Sequence, residues 1–418
     1  MSALSNDPRY AASLRSALTE RLLDQGAIRT DQVAAAFEAV PRHLFVPNVS
    51  VEIAYTDDVV LMKRNEAGTA ISSVSQPTVV AMMLEQADVQ PGHRVLEIGS
   101  GGYNAALLSE LVGADGSVTT IDIDADVTDR ARELLIEAGY PGVRVVQTDG
   151  EFGWPESAPF DRILVTVTAG DIAPAWVDQL AADGRIVVPL RLRGQTRSLA
   201  FDRMDGYLRS RSSVLCGFVS MQGAGANYER IWPLHRDKVV LQIDEDQLID
   251  PAPLEEVLKE PRVEAWSGVL LDRYEPFSHL DLWLASRFAG YCVMSVKRSA
   301  VKSGLVRPAL RWGGSAVVDG ATFGYLASRP SRGKNLVELG ARAHGPTAAA
   351  LADDIITHTR SWDQLLRKAP DPVFEAHPSW SDEVERAGTP SGAAAMGTAG
   401  GTGFEVVTRH TRFVISWG

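Results

Sequence analysis

Cysteine and histidine patterns that bind metals are missing from this chain. It has only two cysteines in 418 residues, Cys216 and Cys292, and its eight histidines are scattered. Neither residue type shows the spacing of a zinc site, a redox pair or a catalytic triad. We therefore expect no metal and no structural disulfide, which is typical of a reducing compartment.

Basic residues and long apolar runs are also in short supply. The 41 Lys and Arg residues are outnumbered by 53 Asp and Glu, which gives a formal net charge of -12. Tight binding to a phosphate backbone needs clustered basic residues, so we expect no nucleic-acid partner. The segment MSALSNDPRYAASLRSALTERL lacks the apolar core of a signal peptide, and no run is long enough to span a membrane. The sequence thus predicts a cytoplasmic protein that does not enter a membrane.

What is present is an alternation of helix and strand patterns between residues 77 and 189, which is typical of a parallel sheet with crossover helices. The predicted strands are 94–98, 117–123, 143–147, 161–166 and 184–189, followed by closing strands 198–204 and 214–219. The predicted helices are 7–25, 30–39, 77–87, 103–112, 126–138 and 173–182.

Beyond residue 225 the alternation fades, and an α+β region without a recognisable motif is expected. Its predicted strands are 238–244, 315–329 and 411–417, and its predicted helices are 252–259, 279–287 and 346–367. We expect three parts: an N-terminal segment 1–76, an α/β domain 77–225 and an accessory domain 226–418. Residues 381–403, rich in Gly, Ala, Ser and Thr, predict a flexible loop within the last part.

The stretch VLEIGSGGYNAALL (95–108) indicates a strand, a tight glycine turn and a helix that together face a ligand. It lacks the Gly-Lys-Ser/Thr of a triphosphate loop, and Asn104 stands where a dinucleotide fingerprint has its third glycine. Acidic residues at the ends of successive strands, Glu97, Asp122 and Asp149, favour S-adenosylmethionine instead. Each acid taken alone is also compatible with a helix cap or a solvated loop.

Five motifs occur in the order seen in protein-L-isoaspartate O-methyltransferases, and the resemblance covers about residues 10–222. They are VPRHLFVP, ISSVSQPTVVAMML, VLEIGSGGYNAALL, TDGEFGWPESAPFDRILVT and GRIVVPL. The resemblance implies a Rossmann-like S-adenosylmethionine-dependent methyltransferase domain that releases S-adenosylhomocysteine. The long form, with its C-terminal α+β domain, is similar to methyltransferases of lanthipeptide and other ribosomal-peptide clusters, including the FxLD group. Those enzymes esterify an aspartate of a modified peptide, and the ester collapses to an aspartimide.

The resemblance also implies site residues. Ser75 matches the serine that holds the acceptor carboxylate, and Ser72 and Ser73 are the other possible alignments within ISSVSQP. Thr168 lies with Thr166 on the rim where cofactor and acceptor meet. Ser75 could equally cap the helix that begins at Pro77. The residues implied to bind the cofactor are Glu97, Gly99, Ser100, Gly101, Gly102, Asn104, Asp122, Ile123, Asp149, Gly150 and Thr166.

Three hypotheses follow. The first, which we take as the main one, is an aspartate carboxyl methyltransferase that acts on a ribosomal peptide, held by the C-terminal domain. The second is a repair enzyme for isoaspartyl proteins. The third is a non-catalytic peptide-binding module, suggested because the glycine turn is one residue shorter than the family's usual acid-x-Gly-x-Gly-x-Gly.

Overall fold

The computed structural model describes residues 8–66, 68–99, 101–245, 247–333, 335–379 and 403–417. The chain forms two compact units: residues 1–190 with 196–227, and residues 191–195 with 228–418. Nearly all of the predicted linker 381–403, and the predicted cofactor residue Ser100, lie outside the described residues.

The first unit is built on a mainly parallel sheet in the order β9-β8-β7-β6-β3-β4-β5. Its strands are β3 Arg94–Ile98, β4 Ser117–Asp122, β5 Arg144–Gln147, β6 Phe160–Val165, β7 Leu180–Leu192, β8 Gln195–Arg203 and β9 Leu208–Leu215. Strands β3 to β7 pair in parallel, and β8 and β9 form an antiparallel pair. The chain runs outward from β3 to β5 and then returns to the other side of β3 at β6. This reversal opens a crevice at the carboxyl ends of β3 and β6, where ligands of open α/β sheets bind.

Helices and one hairpin complete this unit. The helices are α1 Pro8–Asp24, α2 Asp31–Ala39, α3 Val51–Ala54, α4 Pro77–Ala87, α5 Tyr103–Val112, α6 Ala125–Glu137 and α7 Pro174–Asp178. The hairpin joins β1 Val60–Arg64 to β2 Ala70–Val74 in antiparallel pairing. Apolar side chains from Ala11 to Ala200 share one buried cluster. The N-terminal helices therefore pack into the same core as the sheet.

In this unit the predicted elements match closely, with three differences. Helix 173–182 ends at Asp178, because the chain enters the long strand β7 at Leu180. The predicted strand 214–219 is wrong in position, since β9 spans Leu208–Leu215. Residues 48–70, which the sequence predicts to be a loop with short extended pieces, contain α3, β1 and the start of β2.

The second unit contains a seven-stranded antiparallel sheet in the order β10-β11-β13-β14-β15-β16-β12. Its strands are β10 Glu229–His235, β11 Val239–Asp244, β12 Val263–Asp272, β13 Tyr291–Val296, β14 Gly313–Asp319, β15 Thr322–Pro330 and β16 Leu336–His344. Three further strands pair as β18-β19-β17: β17 Val373–Pro378, β18 Gly403–Val407 and β19 Thr411–Ser416. Its helices are α8 Ser278–Arg287, α9 Arg298–Lys302 and α10 Ala348–Leu365.

The sequence predicted this unit less well. Strands near 238–244 and 411–417 and helices near 279–287 and 346–367 are present. The predicted helix 252–259 is wrong, because that segment holds only the short 3-10 turns Ala252–Leu254 and Val257–Lys259. The predicted strand 315–329 is a hairpin of two strands, β14 and β15.

None of the helices in the described part of the chain combines the length and apolar character needed to cross a membrane.

Candidate active site

Two positions in the turn after β3 accept only glycine. Gly99 has φ +99°, and a Cβ there would lie 2.7 Å from the hydroxyl oxygen of Thr166. Gly102, which begins α5, has φ +83°, and a Cβ there would lie 3.0 Å from the Phe45 ring. Gly101 differs, since its backbone is unstrained and a Cβ would meet nothing closer than the Ser73 carbonyl oxygen at 3.8 Å. A side chain at Gly101 would therefore enter the open space beside the turn.

That space is a cleft of about 640 Å³ with two facing walls. We call one the glycine wall (Glu97–Gly99 and Gly101–Asn104) and the other the hairpin wall (Ile71–Ser75). Leu164, Thr166 and Val167 close the cleft along the end of β6. Among the described residues that line it, none is Lys, Arg, His or Cys.

Glu97 is a buried acid that lines the cleft. Its side chain is 1% exposed, and its carboxylate accepts hydrogen bonds from Asn104 Nδ2 at 2.8 Å and from Thr120 Oγ1 at 2.5 Å. Thr120 is its register partner on β4. Burial raises the pKa of Glu97 to about 7, although the two hydrogen bonds oppose the shift, and the charge of Asp122 adds to it. A carboxylate kept so dry is stabilised by a bound cation, such as the ammonium of a methionine moiety. Asn104 thus acts by orienting Glu97.

A second cleft of about 380 Å³ shares Ile71, Gly99, Asp122 and Val167 with the first. Asp122 ends β4 and accepts the backbone N–H of Asp124 at 2.9 Å. The other side of this cleft contains Ile123, Gly150 and Met221. Asp122 therefore lies where the two spaces meet, with a carboxylate suited to ribose hydroxyls and apolar atoms beyond it suited to a base. This combination, with buried Glu97, fits S-adenosylmethionine.

Three of the predicted site residues form hydrogen bonds with the backbone around the two clefts. Asp149 accepts the backbone N–H of Glu151 at 3.0 Å and of Ala224 at 2.8 Å, which fixes the turn Gly223–Gly225. Thr166 donates its hydroxyl proton to the Gly99 carbonyl at 2.7 Å. Thr168 donates to the Phe218 carbonyl at 3.2 Å. Asp149 and Thr168 line neither cleft. Their positions therefore do not favour the direct contacts with cofactor and acceptor that the sequence predicts, and these contacts stay predictions.

The hairpin wall presents Ser73 and Ser75 to the cleft. No other described residue forms a hydrogen bond with either hydroxyl. Their neighbour Ser72 is buried, and its oxygen receives a long contact of 3.5 Å from Arg130. The structure therefore leaves two serine hydroxyls available for an acceptor.

The helix after the hairpin is capped from elsewhere, so Ser75 is not its cap. Asp57 accepts the backbone N–H of Thr78 at 2.9 Å, the Thr78 hydroxyl at 2.6 Å and the Gln76 amide at 3.2 Å. Gln76 stands at the N-cap position without a side-chain cap bond. The competing interpretation of Ser75 as a capping residue is thus not supported.

Arg42 holds the hairpin wall from behind. Its side chain is fully buried, and it donates to the carbonyl oxygens of Ala54 and Ser75, each at 2.9 Å. Its guanidinium also lies 4.9 Å from the centre of the Tyr103 ring, at the start of α5. One buried cation therefore contacts both walls of the cleft.

Lys63 provides a second connection. Its Nζ lies 2.7 Å from Asp124 and 2.8 Å from Asp126, so β1 is tied to the turn that follows Asp122. Sequence reasoning missed Arg42, Asp57 and Lys63 as site residues. Arg42 lies in VPRHLFVP, noted above as family-like, and Asp57 lies in the AYTDD that follows it, which also resembles that family's N-terminal segment. Lys63 had no comparable signal.

Comparison with known proteins agrees with this geometry. The family model described as Protein-L-isoaspartate(D-aspartate) O-methyltransferase matches residues 13–225, about half of the chain. The Protein-L-isoaspartate O-methyltransferase of Methanopyrus kandleri is 38% identical over 223 residues, which cover 53% of this chain and 96% of that protein.

Two solved structures are also similar. One, a protein-L-isoaspartate O-methyltransferase, is 22% identical with a TM-score of 0.49, and the match covers 86% of this chain and 96% of that one. The other is a putative protein-L-isoaspartate O-methyltransferase from Plasmodium falciparum in complex with S-adenosyl-L-homocysteine; it is 19% identical with a TM-score of 0.44, and the match covers 50% of this chain and 98% of that one. The family match and the Methanopyrus kandleri relative confirm the predicted enzyme class and cofactor. The chain belongs to the protein-L-isoaspartate O-methyltransferase family, S-adenosylmethionine-dependent carboxyl methyltransferases.

Proposed function

We propose that this enzyme esterifies the free carboxylate of L-isoaspartyl residues in polypeptides. The observation that carries the proposal is the pair of available hydroxyls, Ser73 and Ser75, that face the glycine wall across one cleft. The matched relatives bear the name of that activity. These names favour the repair hypothesis over our main prediction, which was an aspartate of a ribosomal peptide as the acceptor.

The cleft suits a reaction that needs no general base. The free carboxylate of an isoaspartyl residue is its α-carboxyl group, which has a reference pKa of about 3.3–3.7 and is already ionised at neutral pH. The described residues that line the cleft offer no basic side chain, and the acids present, Glu97 and Asp122, lie on the cofactor side. The protein's task is therefore to hold two reactants in line and to exclude water.

S-adenosylmethionine, when bound, supplies an electrophilic methyl group on a sulfonium. On this chain Glu97 would bind the ammonium of its methionine moiety and Asp122 its ribose hydroxyls. Ser73 and Ser75 would donate hydrogen bonds to the acceptor carboxylate, each worth about 1.5–3 kcal/mol for a charged acceptor. Those bonds fix which carboxylate oxygen faces the cofactor, while Val74, Val80 and Leu164 keep the surroundings dry.

In the test, the full chain and S-adenosylmethionine are incubated with each of three related peptides. One carries L-isoaspartate, one carries L-aspartate at the same place, and one is a cyclised lanthipeptide core that contains aspartate. We expect methyl transfer to the isoaspartyl peptide alone, seen as methanol release after base treatment. Turnover only of the cyclised peptide, with loss of one water, would instead establish the ribosomal-peptide hypothesis.

A binding-only role makes a different prediction. A protein that binds S-adenosylhomocysteine in calorimetry, yet methylates none of the three peptides, would contradict the proposed activity. Ser73→Ala/Ser75→Ala serves as the matched inactive variant, because neither hydroxyl has a bond within the described structure to lose.

A further inference from the structure

The second unit contains a groove with about 1700 Å³ of open space, far larger than either cleft in the first unit. It lies where β12 ends, where β15 passes into β16, and where the chain approaches β14. Its walls include apolar side chains from each of these segments, among them Leu310, Pro330 and Leu336.

Two aromatic rings in this groove are unusually exposed. Trp312 is 68% exposed and Tyr274 is 80% exposed, and both line the same space. The other described tryptophans of this unit, Trp232, Trp266, Trp283, Trp362 and Trp417, are buried or half-buried. Large aromatic side chains left in water at a concave surface are typical anchors for a partner.

The groove lining contains three arginines and two acids. Arg273 and Arg311 line it, are exposed, and form no ion pair with any described residue. The third arginine, Arg329, is paired with Glu338 at 2.6 Å.

The acids of the lining are engaged within the unit. Glu275 is paired with Arg367 at 2.7 Å, and Asp272 accepts the backbone N–H of Tyr274 at 3.0 Å. Two cations with no ion-pair partner among the described residues, on a chain with net charge -12, indicate an anionic ligand.

We propose that this groove binds an acidic segment of the acceptor polypeptide that carries an aromatic or large apolar side chain. The segment's Asp or Glu side chains pair with Arg273 and Arg311, and its apolar side chain packs on Trp312 and Tyr274. The segment is separate from the residue that is methylated. The proposal rests on the proposed function only in that the ligand is a stretch of the enzyme's own substrate.

Direct binding is tested with a fluorescein-labelled peptide rich in Asp and Glu with one Phe, by anisotropy on the full chain. A peptide of equal length with Lys in place of every acid is the comparison. We expect binding of the acidic peptide only, with affinity that falls as salt rises. Arg273→Ala/Arg311→Ala and Trp312→Ala should each weaken it about tenfold or more, as loss of charge-assisted and aromatic contacts predicts.

The matched control is Arg298→Ala, which removes an exposed arginine outside the groove lining. It should bind the acidic peptide like the unaltered protein. Equal binding by Arg273→Ala/Arg311→Ala, or equal binding of the Lys peptide, would overturn the proposal. Self-association of the unaltered protein would also overturn it, if the solution mass rises with protein concentration and Trp312→Ala abolishes that rise. The groove would then bind a second copy of the chain.

Kinetics separate this proposal from the one it rests on. A minimal isoaspartyl peptide is compared with the same peptide extended by the acidic segment. We expect a lower KM for the extended peptide, and Arg273→Ala/Arg311→Ala should remove that advantage without changing kcat or the KM of the minimal peptide. Turnover of the minimal peptide with no gain from the extension would refute the groove and leave the proposed function standing. Absence of turnover together with acidic-peptide binding would refute the proposed function and leave the groove standing.

Discussion

The two walls of the cleft are assembled from different kinds of contact. The glycine wall comes from one strand, one turn and one helix that follow each other in the chain, with Asn104 bonded to Glu97 inside it, and neighbouring strands add bonds from Thr120 and Thr166. The hairpin wall is held by side chains distant in sequence, including Arg42 and Lys63. We infer that the residues of the cofactor side come mainly from one short segment of the chain, whereas the acceptor side is positioned by side chains distant in sequence. The following predictions test that division.

The largest effect is expected at the glycine wall. Gly99→Ala places a side chain at φ +99°, which costs about 1–3 kcal/mol in backbone strain alone, and brings a Cβ to 2.7 Å from Thr166 Oγ1. We expect no measurable S-adenosylhomocysteine binding by calorimetry and a lower thermal unfolding midpoint. Gly101→Ala is the control: it should keep the unfolding midpoint and weaken binding only through lost cleft space. Equal unfolding midpoints for the two variants would contradict this account of the turn.

Arg42→Met tests the hairpin wall from behind. It leaves the carbonyl oxygens of Ala54 and Ser75 without their buried donor, so the segment that carries Ser75 should shift. Misplacement of an acceptor by about 1 Å can cost about a hundredfold in rate. We expect a fall of that order in kcat/KM for an isoaspartyl peptide, while S-adenosylhomocysteine affinity stays within about threefold.

Because Arg42 is buried, its variant must be shown to be folded. Calorimetric binding of S-adenosylhomocysteine serves for that, and Arg42→Lys, which keeps a cation, should recover part of the rate. If the variant binds S-adenosylhomocysteine poorly but has a normal turnover rate at saturating S-adenosylmethionine, Arg42 acts on the cofactor side instead.

The same division explains what the sequence could predict. The parallel sheet, the glycine turn and Glu97 follow from periodicity and local spacing, because each depends on residues within a few positions. The partnership of Arg42 with Ser75 spans 33 positions and that of Lys63 with Asp124 spans 61, which no local pattern encodes. Four of the seven strands in the sheet of the second unit, β10, β12, β13 and β16, were not predicted for a related reason. β16 pairs with β12 about 70 residues earlier, and its burial on both faces hides the alternation expected of a strand.

Ser75→Ala and Asp57→Ala separate acceptor binding from helix capping. The Ser75 hydroxyl has no bond within the described structure, so its loss should lower kcat/KM about ten- to a hundredfold, as for one hydrogen bond to a charged group. Thermal stability should be unchanged. Asp57→Ala should instead cost about 1 kcal/mol of stability, typical of a lost helix cap. Guanidinium unfolding and steady-state kinetics on both variants measure this contrast, and a loss of stability in Ser75→Ala would reinstate the capping interpretation.

The smallest expected effect concerns the protonation of Glu97, and it shows whether the glycine wall binds a cation. Burial raises the pKa of Glu97 to about 7, so below that pH the free protein holds a proton there. An ammonium bound beside it favours the ionised form, so binding must release that proton as the pH falls below 7. The affinity for S-adenosylhomocysteine should therefore weaken by up to about tenfold per pH unit from pH 7 downward. Glu97→Gln cannot ionise, and its affinity should be lower near pH 7 and nearly flat across the same range. Calorimetry in two buffers of different ionisation enthalpy would count the released proton directly. If the affinity of the unaltered protein does not change with pH, Glu97 supports the turn through Asn104 and Thr120 without contacting the ligand's charge. The glycine wall would then recognise the cofactor by shape alone.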